Sequence, residues 1–448
     1  MRPYFLLFLL LSVVYHSNLR PIAAGDSLPS SLIPFSVMLD GSIALDRFGP
    51  YLDKNVPYAP GVIRKAKGHW YSMYPIAGPL LATPLYLPAA LIPAVRRQSP
   101  AALVSIARIA EKVTAVAWAA AAALSLFALL RRLAGGRAAW ILTLIYALGT
   151  GNWATASQAM WQHTFALPAI VACLYAVERW SGERKWYWMA GAAAACALAI
   201  RPTNAALLPA LALVLWHERA RLRAYAEVFC VPVLAGAATA AYNFTLFHSI
   251  GGRYSAQMDA RYLERIAGLL ASPGRGLLIY TPVALFALAA FGRGARHLRE
   301  KHMPVVLLAA AFSLGQIALT AAWPVWWGGY CWGPRLLTEI LPCLMVLMAV
   351  GWPAFWHGGR KGTFAAAALY GCLIQVVGVY CYPKGHWDRL PVSVDERPAR
   401  LWDWKDNPIV RTARGGFVWE PYAIVAAGAK GGLPAVTEKM RELGITPY

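Results

Sequence analysis

Carboxylates, arginines and a histidine stand at the edges of long apolar runs in this chain. Asp26, Asp40, Asp46 and Asp53 follow the first run, and Gln162 and His163 precede a later one. Arg201 and Asn204 lie in Arg201-Pro202-Thr203-Asn204 between two more. Tyr242 and Asn243 end a further run, with Arg253, Tyr254 and Arg275 after it. Trp326-Trp327-Gly328-Gly329 and Arg335 come next, and Glu339 lies one turn beyond. Ionisable groups in or beside membrane helices are costly and are therefore candidates for function. An arginine at membrane depth suits a phosphate, because its planar fork bonds two oxygens and stays charged. A carboxylate opposite suits a general base. Together they suggest transfer of a group from a lipid-linked phosphate to a hydroxyl. Two glycines after two aromatics let backbone approach a ligand closely.

Each residue also has a plainer use. Asp40 and Asp46 suit turns or caps, Arg201 could snorkel to the interface, and His163 could be a satisfied interface histidine. Most of the 19 tryptophans read as interface anchors. Glu339 is expected to pair with a neighbouring arginine.

The elements that must position these residues are membrane helices. Of 448 residues, 58% are hydrophobic and only 14% charged, against about 25% charged in soluble domains. That excludes a soluble or disordered chain. The net charge of +21 is not a nucleic-acid signal, because the positives sit between apolar blocks. A spanning helix needs about 20 mostly apolar residues. Candidates lie at 4–19, 108–130, 138–156, 163–180, 186–200, 203–217, 224–246, 277–292, 303–322, 335–356 and 363–381, about 11 spans in all. Every second short connector is basic (Arg131, Arg132 and Arg137; Arg179, Arg184 and Lys185; Arg219, Arg221 and Arg223; Arg293, Arg296, Arg299 and Lys301; Arg360 and Lys361). By the positive-inside rule these connectors and the N-terminus are cytoplasmic. The polar candidates then share the external face.

Residues 73–95 carry five prolines. Were they to cross, every later basic loop would change sides, so they read as a re-entrant or interface-lying helix pair. This leaves a first external loop at 20–107 and an external C-terminal segment at 382–448. That segment, with Trp387, Trp402, Trp404 and Trp419, is expected to pack over the external face. Arg2, an apolar run and Ile22-Ala23-Ala24 resemble a signal peptide. An uncleaved first helix is the alternative. Five of the seven cysteines lie in apolar runs, while Cys331 and Cys381 fall at segment ends on the external side and could pair. The sequence contains no Walker-type glycine loop, HExxH or CxxC.

Several stretches carry a family resemblance: Asn18-Leu19-Arg20-Pro21 through Gly25-Asp26-Ser27-Leu28-Pro29, Tyr74-Pro75-Ile76-Ala77-Gly78-Pro79, Trp161-Gln162-His163, Arg201-Pro202-Thr203, Ser272-Pro273-Gly274-Arg275-Gly276-Leu277, and Gly328-Gly329 with Gly333-Pro334-Arg335. In order and sidedness the chain resembles the membrane-embedded GT-C glycosyltransferases, nearest the bacterial protein-O-mannosyltransferase-like and aminoarabinose-transferase-like enzymes. The resemblance implies an all-α polytopic membrane protein. Residues 1–381 would form the catalytic domain and the long first external loop would carry interface helices. It also implies an uncleaved first helix, a place in the bacterial inner membrane and an active site on the periplasmic side.

By position Asp26 is then the catalytic carboxylate. The acidic pair common in the family is absent, because Ser27 follows Asp26, so Asp46 or Asp40 is expected to supply the second carboxylate. Arg201, Arg275, Arg335 and His163 are expected to hold the donor phosphate. Asp40, Tyr74, Gln162, Asn204, Tyr254, Trp327 and Glu339 are expected to contact substrate. The implied partners are a polyprenyl-phosphate sugar, the bilayer and a glycan, lipid or protein acceptor, with no nucleic acid. No cofactor is expected. Carboxylates with phosphate can hold a divalent cation, but none is expected to be obligatory. A polytopic lipid or glycan transporter is the competing reading. It should place charges near mid-membrane with access from both sides, whereas here they gather at one face. A membrane assembly protein without chemistry is a third.

Overall fold

The computed structural model describes residues 2–55, 61–180, 183–252, 260–357 and 359–443. Each apolar stretch singled out above overlaps a helix. Five helices are long and apolar enough to cross a membrane: Pro100–Leu148, Leu222–Phe247, Met303–Ala321, Arg335–Trp356 and Lys361–Tyr380. Arg2–His16 and Pro282–Phe291 are shorter and apolar. The latter is a 3-10 run rather than an α-helix. Helices Gln162–Arg179, Arg184–Ile200 and Leu207–His217 complete the bundle.

The stretch Pro100–Leu148 is broken at Gly135, whose φ of 80° is a left-handed conformation suited to glycine. Phe127 and Trp140 have ring centroids 4.6 Å apart. On one straight helix thirteen residues would separate them by about 20 Å, so the chain doubles back at Gly135. The break falls among Arg131, Arg132 and Arg137, where the charge pattern requires a connector.

The centre of the bundle is the Leu341–Trp356 helix, nearly all of which is buried. It packs against the Pro282–Phe291 run, the Pro100–Leu148 hairpin and the Met303–Ala321 helix. Small residues permit close approach in a bilayer, where apolar surface alone gives helices little reason to associate. A Cβ on Gly351 would lie 2.8 Å from the Ala290 nitrogen, and one on Gly191 would lie 2.4 Å from the Val228 carbonyl oxygen. Large apolar side chains elsewhere, such as Val233, Leu234, Phe244, Leu369 and Leu373, face outward.

The described part of the long first loop is built of short elements. It holds helices Leu28–Asp40 and Gly49–Asn55, a two-stranded antiparallel hairpin (Ile63–Ala66 with His69–Ser72), and helices Ala77–Ala90 and Pro93–Arg96. The hairpin corrects the purely α-helical expectation. Helix resumes at Pro100, within the stretch assigned to the loop. The proline-rich stretch is a helix pair, as its charge context suggests. At about 1.5 Å per residue, the 14-residue Ala77–Ala90 helix is shorter than the bilayer core of about 30 Å. It packs on Leu28–Asp40 through Phe35 and Tyr86, centroids 5.2 Å apart. Its other face exposes Leu80, Leu81, Leu85 and Leu87.

The C-terminal segment packs on the helices through its first part. Trp387 is 2% exposed, and Val418 N donates to the Tyr380 carbonyl at 2.8 Å. The helix Glu420–Glu442 follows, tied back by Tyr422 Oη to the Ser17 carbonyl at 2.7 Å. All seven cysteines are free, so Cys331 and Cys381 are not bonded.

Candidate active site

A cavity of about 580 Å³ opens where the first loop, three helix ends and the Trp326–Gly329 turn converge. Asp26, Tyr74, Gln162, His163, Arg201, Trp327 and Arg335 all line it. These residues span more than 300 positions of sequence, and local chain chemistry aims each of them.

Asp26 sits in the one-turn 3-10 helix Gly25–Ser27, ahead of the Pro29-initiated helix Leu28–Asp40. Arg201 precedes Pro202. The residue before a proline is pushed out of the helical region, and Arg201 is extended at φ −148°, ψ 115°. The Arg184–Ile200 helix therefore stops, and the Arg201 side chain reaches the cavity wall. His163 opens the Gln162–Arg179 helix, and Arg335 opens the turn Arg335–Ile340 after Gly333-Pro334. Gly328 and Gly329 both have left-handed backbone, at φ 75° and 69°. They turn the chain so that its carbonyls face arginines. Gly78 has a different use, since a Cβ there would lie 2.5 Å from the Phe165 ring. Its bare backbone lets the interface helix rest directly on the helix that carries His163.

Two ion pairs organise the charges. Arg335 Nη2 donates to Asp26 Oδ2 at 2.9 Å and to the Gly328 carbonyl at 2.6 Å. Its guanidinium stacks over Trp161, 4.4 Å from the ring centre. Arg335 Nε is buried with no hydrogen-bond partner among the described residues. Behind the wall lies Glu339, fully buried. Its carboxylate accepts from Arg201 Nη1 at 2.7 Å and lies 2.8 and 2.9 Å from His163 Nδ1. Glu339 does not line the cavity. It fixes two residues that do, which makes it a positioning group rather than a substrate contact.

Other expected site residues lie elsewhere. Arg275 is 1% exposed and spends its donors on the protein: Nε on the Trp327 carbonyl (3.1 Å), Nη1 on Gly274 (2.8 Å), and Nη2 on Gly329 (3.1 Å) and Asp388. It clamps the tryptophan-glycine turn from behind and does not line the cavity. Asp388, its partner, comes from the C-terminal segment, which the sequence does not link to it. Asn204 is buried, and its Nδ2 donates to the Ala197 carbonyl at 3.0 Å. That carbonyl also accepts from Arg201 N at 3.0 Å, so Asn204 adds a second donor at the end of the Arg184–Ile200 helix and does not line the cavity. Asp40 is paired with Arg47. Asp46 accepts from Trp70 N at 2.9 Å and from His69 Nδ1 at 2.6 Å, bracing the hairpin. Neither aspartate reaches the cavity. Tyr254 lies outside the described residues.

Sequence reading missed Trp161 as the platform under Arg335, although it flanks Gln162. It also missed Asp395, which lines the cavity mouth and accepts from Trp327 Nε1 at 2.7 Å. Nothing local marks Asp395, since the contact crosses 68 positions. A second cavity of about 390 Å³ shares Gly25, Trp161, Tyr330 and Arg335 with the first. It opens among Arg20, Tyr382, His386 and Arg389. Among the described residues no group of three His, Cys, Asp or Glu is arranged to hold a metal ion.

No family model matches the chain, and no curated protein matches it by sequence. Solved structures do resemble it. ArnT from Cupriavidus metallidurans bound to undecaprenyl phosphate has a TM-score of 0.53 at 14% identity, over 97% of this chain and 74% of that one. The apo state of the same protein gives 0.50 at 14% identity over the same shares. The archaeal oligosaccharyltransferase AglB from Archaeoglobus fulgidus, in complex with an inhibitory peptide and a dolichol-phosphate, gives 0.49 at 12% identity, over 99% of this chain and 60% of that one. At 14% identity the likeness to ArnT is one of fold. The chain shares the fold of ArnT.

Proposed function

We propose that this chain is an inverting glycosyltransferase that moves a sugar from a polyprenyl-phosphate donor to an acceptor hydroxyl at the external membrane face. One observation carries the reading. In the main cavity a carboxylate, Asp26, touches an arginine, Arg335, whose Nε is otherwise unpartnered, and Arg201 and His163 line the same space. ArnT, which shares the fold, is bound to undecaprenyl phosphate.

In this mechanism the acceptor hydroxyl attacks the anomeric carbon and loses its proton to an Asp26 oxygen. The bond from that carbon to the phosphate oxygen breaks, and its electron pair leaves with the lipid phosphate. The configuration inverts in the single displacement. Charge grows on the phosphate, and the Arg335 and Arg201 guanidiniums that line the cavity stabilise it. Fixed cations aimed at developing charge are usually a large part of such catalysis. His163, held by Glu339, is an additional donor. The adjoining cavity beside Arg335 and Gly25 gives the acceptor its own approach.

The topology belongs to the same proposal: about 11 spans, a cytoplasmic N-terminus, and the cavity and residues 382–448 outside. Basic residues of different connectors share partners. Arg184 and Arg223 pair with Glu227, and Arg137 and Lys361 both stack on Trp356.

The test is incubation of purified protein with a panel of polyprenyl-phosphate sugars, reading release of free lipid phosphate. Release with at least one donor, abolished in Asp26→Asn, is expected. No release from any donor in the presence of varied acceptors would overturn the reading.

A further inference from the structure

Three charged residues outside the cavity occupy one face at the start of the Pro100–Leu148 helix. Arg108, Glu111 and Lys112 are spaced i, i+3 and i+4, so they are neighbours. Glu111 is fully buried and Lys112 nearly so. Charges buried at the head of a spanning helix are costly, and apolar residues of similar volume often serve stability as well or better. Their partners suggest why these are present.

Arg108 Nη1 donates to Glu111 Oε2 at 2.7 Å and to Ser27 Oγ at 3.2 Å. Ser27 follows Asp26, and its own N–H closes the turn on the Ala24 carbonyl. The other oxygen, Glu111 Oε1, accepts from Met160 N at 3.0 Å. Met160 immediately precedes Trp161, Gln162 and His163. Lys112 Nζ donates to the Ser157 carbonyl at 3.2 Å and to Gln158 Oε1 at 2.6 Å. Gln158 in turn accepts from Asn18 Nδ2 at 2.9 Å and, through its carbonyl, from Ile22 N at 3.2 Å. The segment carrying Asp26 and the segment carrying Trp161 and His163 are thus fastened to the same helical turn. Glu111 gives one oxygen to Met160 and the other to Arg108, and Arg108 carries the link to Ser27.

We propose that Arg108, Glu111 and Lys112 are positioning residues, a charged bracket that sets the Asp26 carboxylate against the Trp161–His163 wall. The proposal rests on the reading of the cavity as the site of transfer. None of the three touches the cavity, so they act through Ser27, Met160 and Gln158. Misplacement of a reacting group by about 1 Å can cost about a hundredfold in rate.

Two measurements test it on the full chain in detergent. In the first, donor turnover is compared for Arg108→Met, Glu111→Gln and Arg108→Lys. We expect turnover to fall about ten- to a hundredfold in the first two, with donor KM within about threefold of the parent, and to return largely in Arg108→Lys. Turnover within about twofold of the parent, or a loss confined to KM, would overturn the bracket. In the second, hydrogen exchange is followed by mass spectrometry. Glu111→Gln should speed exchange in peptides covering 18–28 and 157–164 together, and leave 277–291 unchanged. Exchange unchanged in either of the first two peptides overturns the proposal whatever the activity. If the parent protein releases no lipid phosphate, the transfer reading fails, and the exchange experiment alone decides the bracket.

Discussion

Asp26 Oδ2 lies 2.9 Å from Arg335 Nη2, across 309 positions of sequence. The group proposed to take the acceptor proton and the group proposed to hold the leaving phosphate are one ion pair. Each compensates the other's charge in a site with few charges to spare.

Removing the Asp26 charge while keeping its shape is the most direct test. Asp26→Asn should lower lipid-phosphate release by about a thousandfold, within the range of lost general-base catalysis. Its melting temperature in detergent should stay close to the parent value, because the side chain is one-third exposed. Near-parent release would remove Asp26 from the chemistry.

Glu339 is expected to behave differently. Its carboxylate is fully buried between Arg201 and His163. Glu339→Ala leaves Arg201 uncompensated, and breaking a buried pair typically costs about 3–5 kcal/mol. Lost stability together with lost activity is therefore expected, read by thermal unfolding. Arg201→Ala should likewise weaken donor use, seen as a raised donor KM. An unchanged melting temperature in Glu339→Ala would show that the pair is not the support proposed here.

Arg275 is proposed as a clamp, not a phosphate ligand, and its partner gives the discriminating experiment. Arg275→Ala and Asp388→Ala should show the same defect: lower turnover and faster proteolysis within 382–407. The double variant should be about as impaired as either single one, as expected for groups acting as a unit. A donor-KM defect in Arg275→Ala that Asp388→Ala lacks would return Arg275 to the donor site.

Asp46 should be dispensable for transfer, so Asp46→Asn is expected to keep release within about twofold of the parent, as for most surface changes away from a site. Its effect is local and depends on pH. Partial burial acts to raise its pKa, but the Trp70 N–H and His69 outweigh this and hold the carboxyl below its ordinary value. A depressed carboxylate pKa adds stability above the unfolded value, and that stability is lost as pH falls through the folded one. Exchange of amides at 63–72 should therefore speed up on acidification in the parent and change less in Asp46→Asn.

Topology can be read directly. Reporters fused after 137, 223 and 361 should report the cytoplasm, and a reporter after 400 the exterior. An external reading at 137 would mean that 73–95 crosses, despite the short Ala77–Ala90 helix.

Sequence alone determined the helices, their connectors and the residues worth watching. The reasons are local: apolar length sets a span, a basic loop sets its side, and Arg201-Pro202 must end a helix at the arginine. These rules placed Asp26, Tyr74, Gln162, His163, Arg201, Trp327 and Arg335 on one face, and they meet in one cavity. Only the tertiary structure separated contact from support. Arg275 and Arg335 are alike as sequence, each in a short glycine- and proline-containing stretch, yet one is spent on carbonyls and Asp388 while the other lines the cavity against Asp26. Asp46 and Asp395 changed places for the same reason. A carboxylate's use depends on which distant donor reaches it, and the donors at Trp70 and Trp327 are set by packing across 24 and 68 positions. No local pattern encodes that.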